Sequence, residues 1–136
     1  MNLPPVHYLA VLVAGIAIFA LGGLWYSPVL FAKKWMELRG ITEAEMKTES
    51  LPLQYAMVFL CGLITAWVMA VILNHFPNLT LTRALEAAFL CWLGFAAVTS
   101  YATAIFSMKP KALWLIDSGF NLVSFLVAAA ILALWR

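Results

Sequence analysis

Two carboxylates, Glu86 and Asp117, lie inside long apolar stretches of the sequence. Asp117 is followed by Asn121 and Ser124, at the i+4 and i+7 positions that share one face of a helix. A carboxylate in apolar surroundings marks a site for an ion, a proton or a polar molecule. The alternative is structural, with Asp117 joining two helices by hydrogen bonds. The residues expected to bind a small-molecule or ion substrate are Asp117, Asn121, Ser124, Thr99, Ser100 and Thr103.

Composition limits the kind of molecule that can hold this site. Of 136 residues, 65% are hydrophobic and 10% are charged, whereas soluble domains are about 45–50% apolar and about 25% charged. The mean hydropathy of +0.99 also excludes a soluble domain. A formal net charge of +2 is too small for a basic nucleic-acid surface, so no nucleic-acid partner is expected. Two cysteines provide neither a disulfide framework nor a zinc pattern.

Four apolar stretches have the length that a helix needs to cross the hydrocarbon core, about 20 residues. They cover about residues 6–25, 53–76, 83–107 and 112–135. None shows the alternating polarity of a barrel strand. The sequence therefore predicts an all-α integral membrane protein with one four-helix transmembrane domain over residues 1–136.

Orientation follows from lysine and arginine, which are retained on the cytoplasmic side of a membrane. Most of them lie between helices one and two or between helices three and four, and two lie on the opposite side. The first group is Lys33, Lys34, Arg39, Lys47, Lys109 and Lys111, and the second is Arg83 and Arg136. We expect both termini outside the cytoplasm and the connection 27–51 inside it.

Three residues expected near the outer surface of the membrane suggest a metal site. His7, His75 and Glu86 belong near that surface on three helices, and imidazole and carboxylate groups bind divalent metals. The simpler alternative places Glu86 in the first turn of a helix capped by Thr82, paired with Arg83. No nucleophile is arranged with a base, and no cofactor motif is present. We therefore expect no catalytic residues, no enzymatic activity and no cofactor.

The connection 27–51 predicts an amphipathic helix in the membrane plane. Pro28 is suited to its first turn, and Gly40 to its end. Thr42 and Glu45 have the spacing of a capping box that would start a second short helix. The apolar face of the first helix is either a lipid-sensing or gating element or a linker anchored at the membrane interface. The interface residues expected are Trp25, Tyr26, Phe31, Trp35 and Leu38.

Two functions remain open. The first is a small transporter or permeation protein with its polar site on helices three and four. Four helices with one modest polar stripe enclose no pathway alone, so this hypothesis predicts a homo-oligomer, of which two-fold dimers are the most common. The second is a structural or accessory membrane protein that binds lipid or a partner through its amphipathic helix.

Two segments carry a family resemblance. The run Gly22–Phe31, with its Trp-Tyr-Ser-Pro element, and the tail from Phe106 to Trp135 resemble the bacterial membrane family called domain of unknown function 1761. The resemblance implies four spans and a bacterial inner-membrane location, and no activity. It also implies an uncharged amide where Asp117 stands and often a histidine where Asn121 stands. The departure favours a polar pocket over an essential proton carrier.

Overall fold

The structure, a computed structural model, describes residues 3–42 and 51–135. These ranges are helical and contain no strand. A π-helical segment, Leu93–Ala97, connects the α-helices Leu81–Trp92 and Val98–Phe106. The α-helices are α1 (Tyr8–Trp25), α2 (Ala32–Arg39), α3 (Leu51–Leu73), α4 (Leu81–Trp92), α5 (Val98–Phe106) and α6 (Lys111–Leu134).

Four stretches are long and apolar enough to cross a membrane. In chain order, the first to fourth spans are Tyr8–Trp25, Pro52–Leu73, Leu81–Phe106 and Lys111–Leu134. The predicted multi-pass, all-α membrane protein is confirmed. Since the chain turns after α3, Phe76 lies outside the second span in spite of its apolar side chain.

Small residues form the contacts between spans. Lipid tails are as apolar as leucine, so membrane helices associate where small side chains let their backbones approach. At Gly15, a β-carbon would lie 2.5 Å from Leu63 Cδ2 and 3.3 Å from Leu63 Cα, so α1 and α3 meet there. α6 packs against α1, α3 and α4. The fully buried alanines at these contacts are Ala10, Ala14, Ala66, Ala84, Ala88, Ala128 and Ala129.

The predicted amphipathic helix exists as α2, with a shifted start. The chain forms turns through residues 26–31, and α2 begins at Ala32, so the prediction that Pro28 lies in its first turn is wrong. Gly40 ends α2 in the left-handed conformation, at φ 69°, as predicted. The position of α2 in the membrane plane stays a prediction. The Thr42–Glu45 capping box falls partly outside the described residues.

The start of α4 also differs from the prediction. Thr80, not Thr82, is the N-cap, and its hydroxyl accepts a hydrogen bond from the Arg83 backbone N–H at 3.2 Å. The Arg83 guanidinium donates to the carbonyl of Asn78 (3.3 Å), and the predicted ion pair between Arg83 and Glu86 is not formed. Extended backbone at Thr80 starts the helix two residues early and leaves Glu86 in its second turn, exposed.

A candidate polar cleft in the membrane domain

A cleft of about 250 Å³ lies between the end of the third span and the start of the fourth. α4 packs closely on α6, whereas α5 touches α6 at fewer places, and the π-helical segment lies between the two regions. π-helical turns interrupt an α-helix and occur frequently at functional sites. The polar residues that line the cleft are Ser100, Thr103, Lys109, Trp114, Asp117, Ser118 and Asn121.

The structure brings together four of the six residues singled out for substrate binding: Asp117, Asn121, Ser100 and Thr103. The other two are elsewhere. Ser124 is buried, and its hydroxyl is the one buried side-chain polar atom without a partner in the described part of the chain. Thr99 is exposed, and its hydroxyl donates to the carbonyl of Phe95 (2.9 Å).

Sequence reasoning missed Lys109, Trp114 and Ser118 as members of the cleft. Trp114 stands three residues before Asp117, on the same face of α6, so helical spacing could have indicated it. From the sequence, Lys109 has a role only in the orientation of the spans. It reaches the cleft because Met108 adopts a left-handed conformation, at φ 56°, and turns the chain at the end of α5.

Asp117 is held by the residue that follows the first span. The Tyr26 hydroxyl donates to Asp117 Oδ1 at 2.6 Å. Burial, and secondly the hydrogen bond to Asp117, raise the pKa of the Tyr26 phenol well above its usual range. Tyr26 therefore remains a neutral donor at physiological pH, with its ring against Phe120 and Trp35 (centroid distances 5.5 and 5.8 Å).

Two indoles fix the turn of α6 that carries Asp117. Trp25 Nε1 donates to the carbonyl of Ile116, and Trp92 Nε1 to the carbonyl of Ser118, both at 2.9 Å. A β-carbon at Gly119 would lie 3.1 Å from Trp25 Cζ2, so glycine allows the ring its close approach. The carbonyls on either side of Asp117 are thus bound by different spans.

The hydroxyls of the cleft present oxygen lone pairs. Ser100 Oγ donates to the carbonyl of Ala96 (2.6 Å) and accepts from Trp114 Nε1 (3.0 Å). The Thr103 hydroxyl donates to the carbonyl of Thr99 (3.2 Å). With their protons directed to the backbone, both hydroxyls offer acceptors to a bound molecule. Within residues 3–42 and 51–135, the side-chain amide of Asn121 makes no hydrogen bond and is available to a solute.

The residues expected at the membrane interface make contacts within the chain. Trp25 and Phe31 lie at a ring distance of 5.0 Å, and Trp35 lies against Tyr26. Leu38 is half-buried. Their contact with lipid stays a prediction, and the face of α2 that carries Trp35 is covered in part by Tyr26.

The outer residues of the metal hypothesis have other contacts. His7 Nδ1 accepts from the Ala10 backbone N–H at 3.0 Å and caps α1, and His75 Nδ1 lies 2.8 Å from the carbonyl of Val71. Glu86 is exposed. Among the described residues, no group of three His, Cys, Asp or Glu side chains could hold a metal ion. The structure therefore does not assemble this site.

Comparison with known proteins places the whole membrane domain in one family. No curated protein and no solved structure matches the chain. A family model does match, over residues 9–133, which include every residue of the cleft and all four spans apart from the end residues Tyr8 and Leu134. The chain therefore belongs to the family described as Protein of unknown function (DUF1761).

Proposed function

We propose that this protein binds a small polar solute or an ion in the cleft between α5 and α6 and passes it across the bacterial inner membrane. The observation that carries the proposal is the meeting of Asp117, Asn121, Ser100 and Thr103 around one cleft. Polar and ionisable groups at membrane depth are costly, and they mark the paths of ions and solutes. The role assigned to the cleft is binding and passage, without catalysis.

Two features support binding at Asp117 over a purely structural role. A structural carboxyl would have its hydrogen bonds satisfied by the helices it joins. In the described part of the chain, Asp117 has one such bond, from Tyr26, and its side chain lies on the cleft. Asn121, one turn further, adds a donor and an acceptor to the same wall.

The pathway itself requires more than one chain in this proposal. The cleft lies between two spans at the edge of the bundle, and the third span is the least buried of the four. A homo-oligomer would shield that side from lipid. The topology proposed is the one that the basic residues favour, with both termini outside and α2 in the cytoplasm.

A second candidate function is an accessory role in which α2 binds lipid or a partner. It is supported by the exposure of Lys33, Lys34 and Glu37 on the outer side of α2. It is weakened by the position of Trp35, whose ring lies against Tyr26. The transport proposal is preferred because it also accounts for the polar cleft.

The test is solute flux into proteoliposomes. Shrinkage and re-swelling would be followed by light scattering after addition of urea, methylammonium chloride, sodium acetate or glycine. At least one solute should enter faster than into protein-free liposomes. Asp117→Asn and Asn121→Ala should lower that rate severalfold, because both change the wall of the cleft.

Glu86→Gln is the matched control, since it also converts a carboxylate of an apolar span into an amide but lies outside the cleft. It should leave the rate unchanged. The proposal is overturned if no solute enters faster than into empty liposomes, or if Glu86→Gln lowers the rate as much as Asp117→Asn.

A further inference from the structure

The cleft contains one positive and one negative side chain, Lys109 and Asp117. They do not form an ion pair in the structure, although both line the same small space. A carboxylate and an amine that face one cavity without neutralising each other can each bind the opposite charge of a guest. This arrangement fits a guest that carries two opposite charges, and the choice of such a guest rests on the function proposed above.

The spacing along α6 separates the two charges. Lys109 precedes the helix, which begins at Lys111, and Asp117 lies six residues further. At 1.5 Å per residue, the backbone of Asp117 lies about 9 Å along the axis from the first residue of α6. Lys109 enters the cleft from the turn before the helix, so a guest meets the two charged side chains at different depths of the cleft.

The end of the cleft at Lys109 favours an anion. The Lys109 backbone N–H donates to the carbonyl of Ala104 (3.1 Å), which fixes the turn after α5. Met108 is the one non-glycine residue with positive φ in the described ranges, so this turn is held at a conformational cost. The N-terminus of α6, at the same end, adds the positive pole of a helix of 24 residues.

The end of the cleft at Asp117 favours a primary ammonium group. Asp117 offers a carboxylate, and Ser100 and Thr103 on the facing wall of the cleft offer oxygen lone pairs because their protons bind the backbone. A primary ammonium group has three N–H donors for such acceptors, whereas a quaternary ammonium group has none. A volume of about 250 Å³ also restricts the guest to a small molecule or a headgroup.

We infer that the cleft between α5 and α6 binds a compact zwitterion, with its primary ammonium group at Asp117 and its anionic group at Lys109. This inference deepens the proposed function and names its substrate class. A free amino acid and the headgroup of an ethanolamine lipid share this chemistry, so the experiment distinguishes the two sources.

The experiment is calorimetric titration of the full chain in phosphatidylcholine nanodiscs, whose lipid has no primary amine. Glycine, β-alanine and phosphoethanolamine are the zwitterionic probes. Acetate, methylammonium and glycine betaine each lack one required group. At least one zwitterionic probe should bind ten times more tightly than these three.

Charge-removing variants test the assignment of each end. Lys109→Gln and Asp117→Asn should each weaken binding of that probe at least tenfold. Lys111→Gln and Glu86→Gln are the controls, because both residues are exposed and neither lines the cleft, and they should stay within twofold. Equal binding of glycine betaine, or binding unchanged in Lys109→Gln and Asp117→Asn, overturns the inference. Absence of binding by all three zwitterions, as expected if Lys109 and Asp117 pair with each other, overturns it also.

A second titration distinguishes a free zwitterion from a lipid headgroup. Phosphatidylethanolamine added to the nanodiscs should compete with the soluble probe if the cleft takes lipid headgroups, and it should leave binding unchanged if the cleft takes free solutes. The inference and the proposed function fail separately. Zwitterion binding without flux refutes transport, whereas flux that is sensitive to Asp117→Asn but insensitive to Lys109→Gln refutes the inference.

Discussion

Replacing Tyr26 by phenylalanine removes one hydroxyl and retains the ring contacts with Phe120 and Trp35. The lost interaction is the 2.6 Å hydrogen bond to Asp117. Hydrogen bonds to charged groups contribute about 1.5–3 kcal/mol, whereas bonds between membrane helices average about 0.6 kcal/mol and reach about 1.7 kcal/mol. Since Tyr26 is only half-buried, we expect Tyr26→Phe to lower the free energy of unfolding by about 1 kcal/mol.

The assay is SDS titration of the detergent-solubilised protein, followed by far-ultraviolet circular dichroism. Tyr26→Phe is measured in the wild-type chain and again in an Asp117→Leu background, because leucine, unlike asparagine, cannot accept the hydrogen bond. The loss of about 1 kcal/mol should shrink to near zero in that background. Tyr8→Phe, an exposed tyrosine at the other end of α1, is the control and should have no effect in either. An equal loss in both backgrounds would show that Tyr26 stabilises the fold without Asp117.

Tyr26 should leave the free energy of unfolding unchanged up to about pH 10, the ordinary pKa of tyrosine, and should lower it at higher pH. The reason is that the folded chain holds the Tyr26 proton more tightly than the unfolded chain does. Tyr26→Phe should remove this part of the loss of stability at alkaline pH. Gly15→Ala should destabilise the chain in SDS titration by about 1–3 kcal/mol, because its β-carbon overlaps the second span, whereas Gly23→Ala, with open space around it, should not. Trp35→Ala combined with Leu38→Glu should weaken flotation with liposomes of an α2 peptide if the accessory role is correct, and an unchanged peptide would remove that alternative.

The four spans could be predicted because the bilayer imposes one requirement on every residue of a crossing segment. Each backbone N–H and C=O must be satisfied within the segment, so length and hydropathy identify a span. Helical spacing likewise placed Asp117 and Asn121 on one face of α6. These inferences need only neighbours in the sequence.

The parts that could not be predicted depend on contacts between distant residues. Tyr26 and Asp117 are 91 positions apart, and no local pattern shows that the first span ends beside the second turn of α6. Trp25 looked like an interface residue, because an amphipathic ring suits the lipid headgroups. Its indole also donates a hydrogen bond to a carbonyl on α6, which that reasoning does not predict. The place of Lys109 depended on the left-handed backbone of Met108, which methionine does not signal.

The π-helical segment Leu93–Ala97 determines which side of the third span faces α6 in the half that follows the segment. A π-turn accommodates one extra residue, and each residue of an α-helix turns the chain by about 100°. If this segment were ordinary α-helix, the half-span beyond it would be rotated by about that angle. Ser100 and Thr103 would then face away from Asp117, so deletion of a single residue, such as Gly94, would remove one wall of the cleft without altering any residue that lines it.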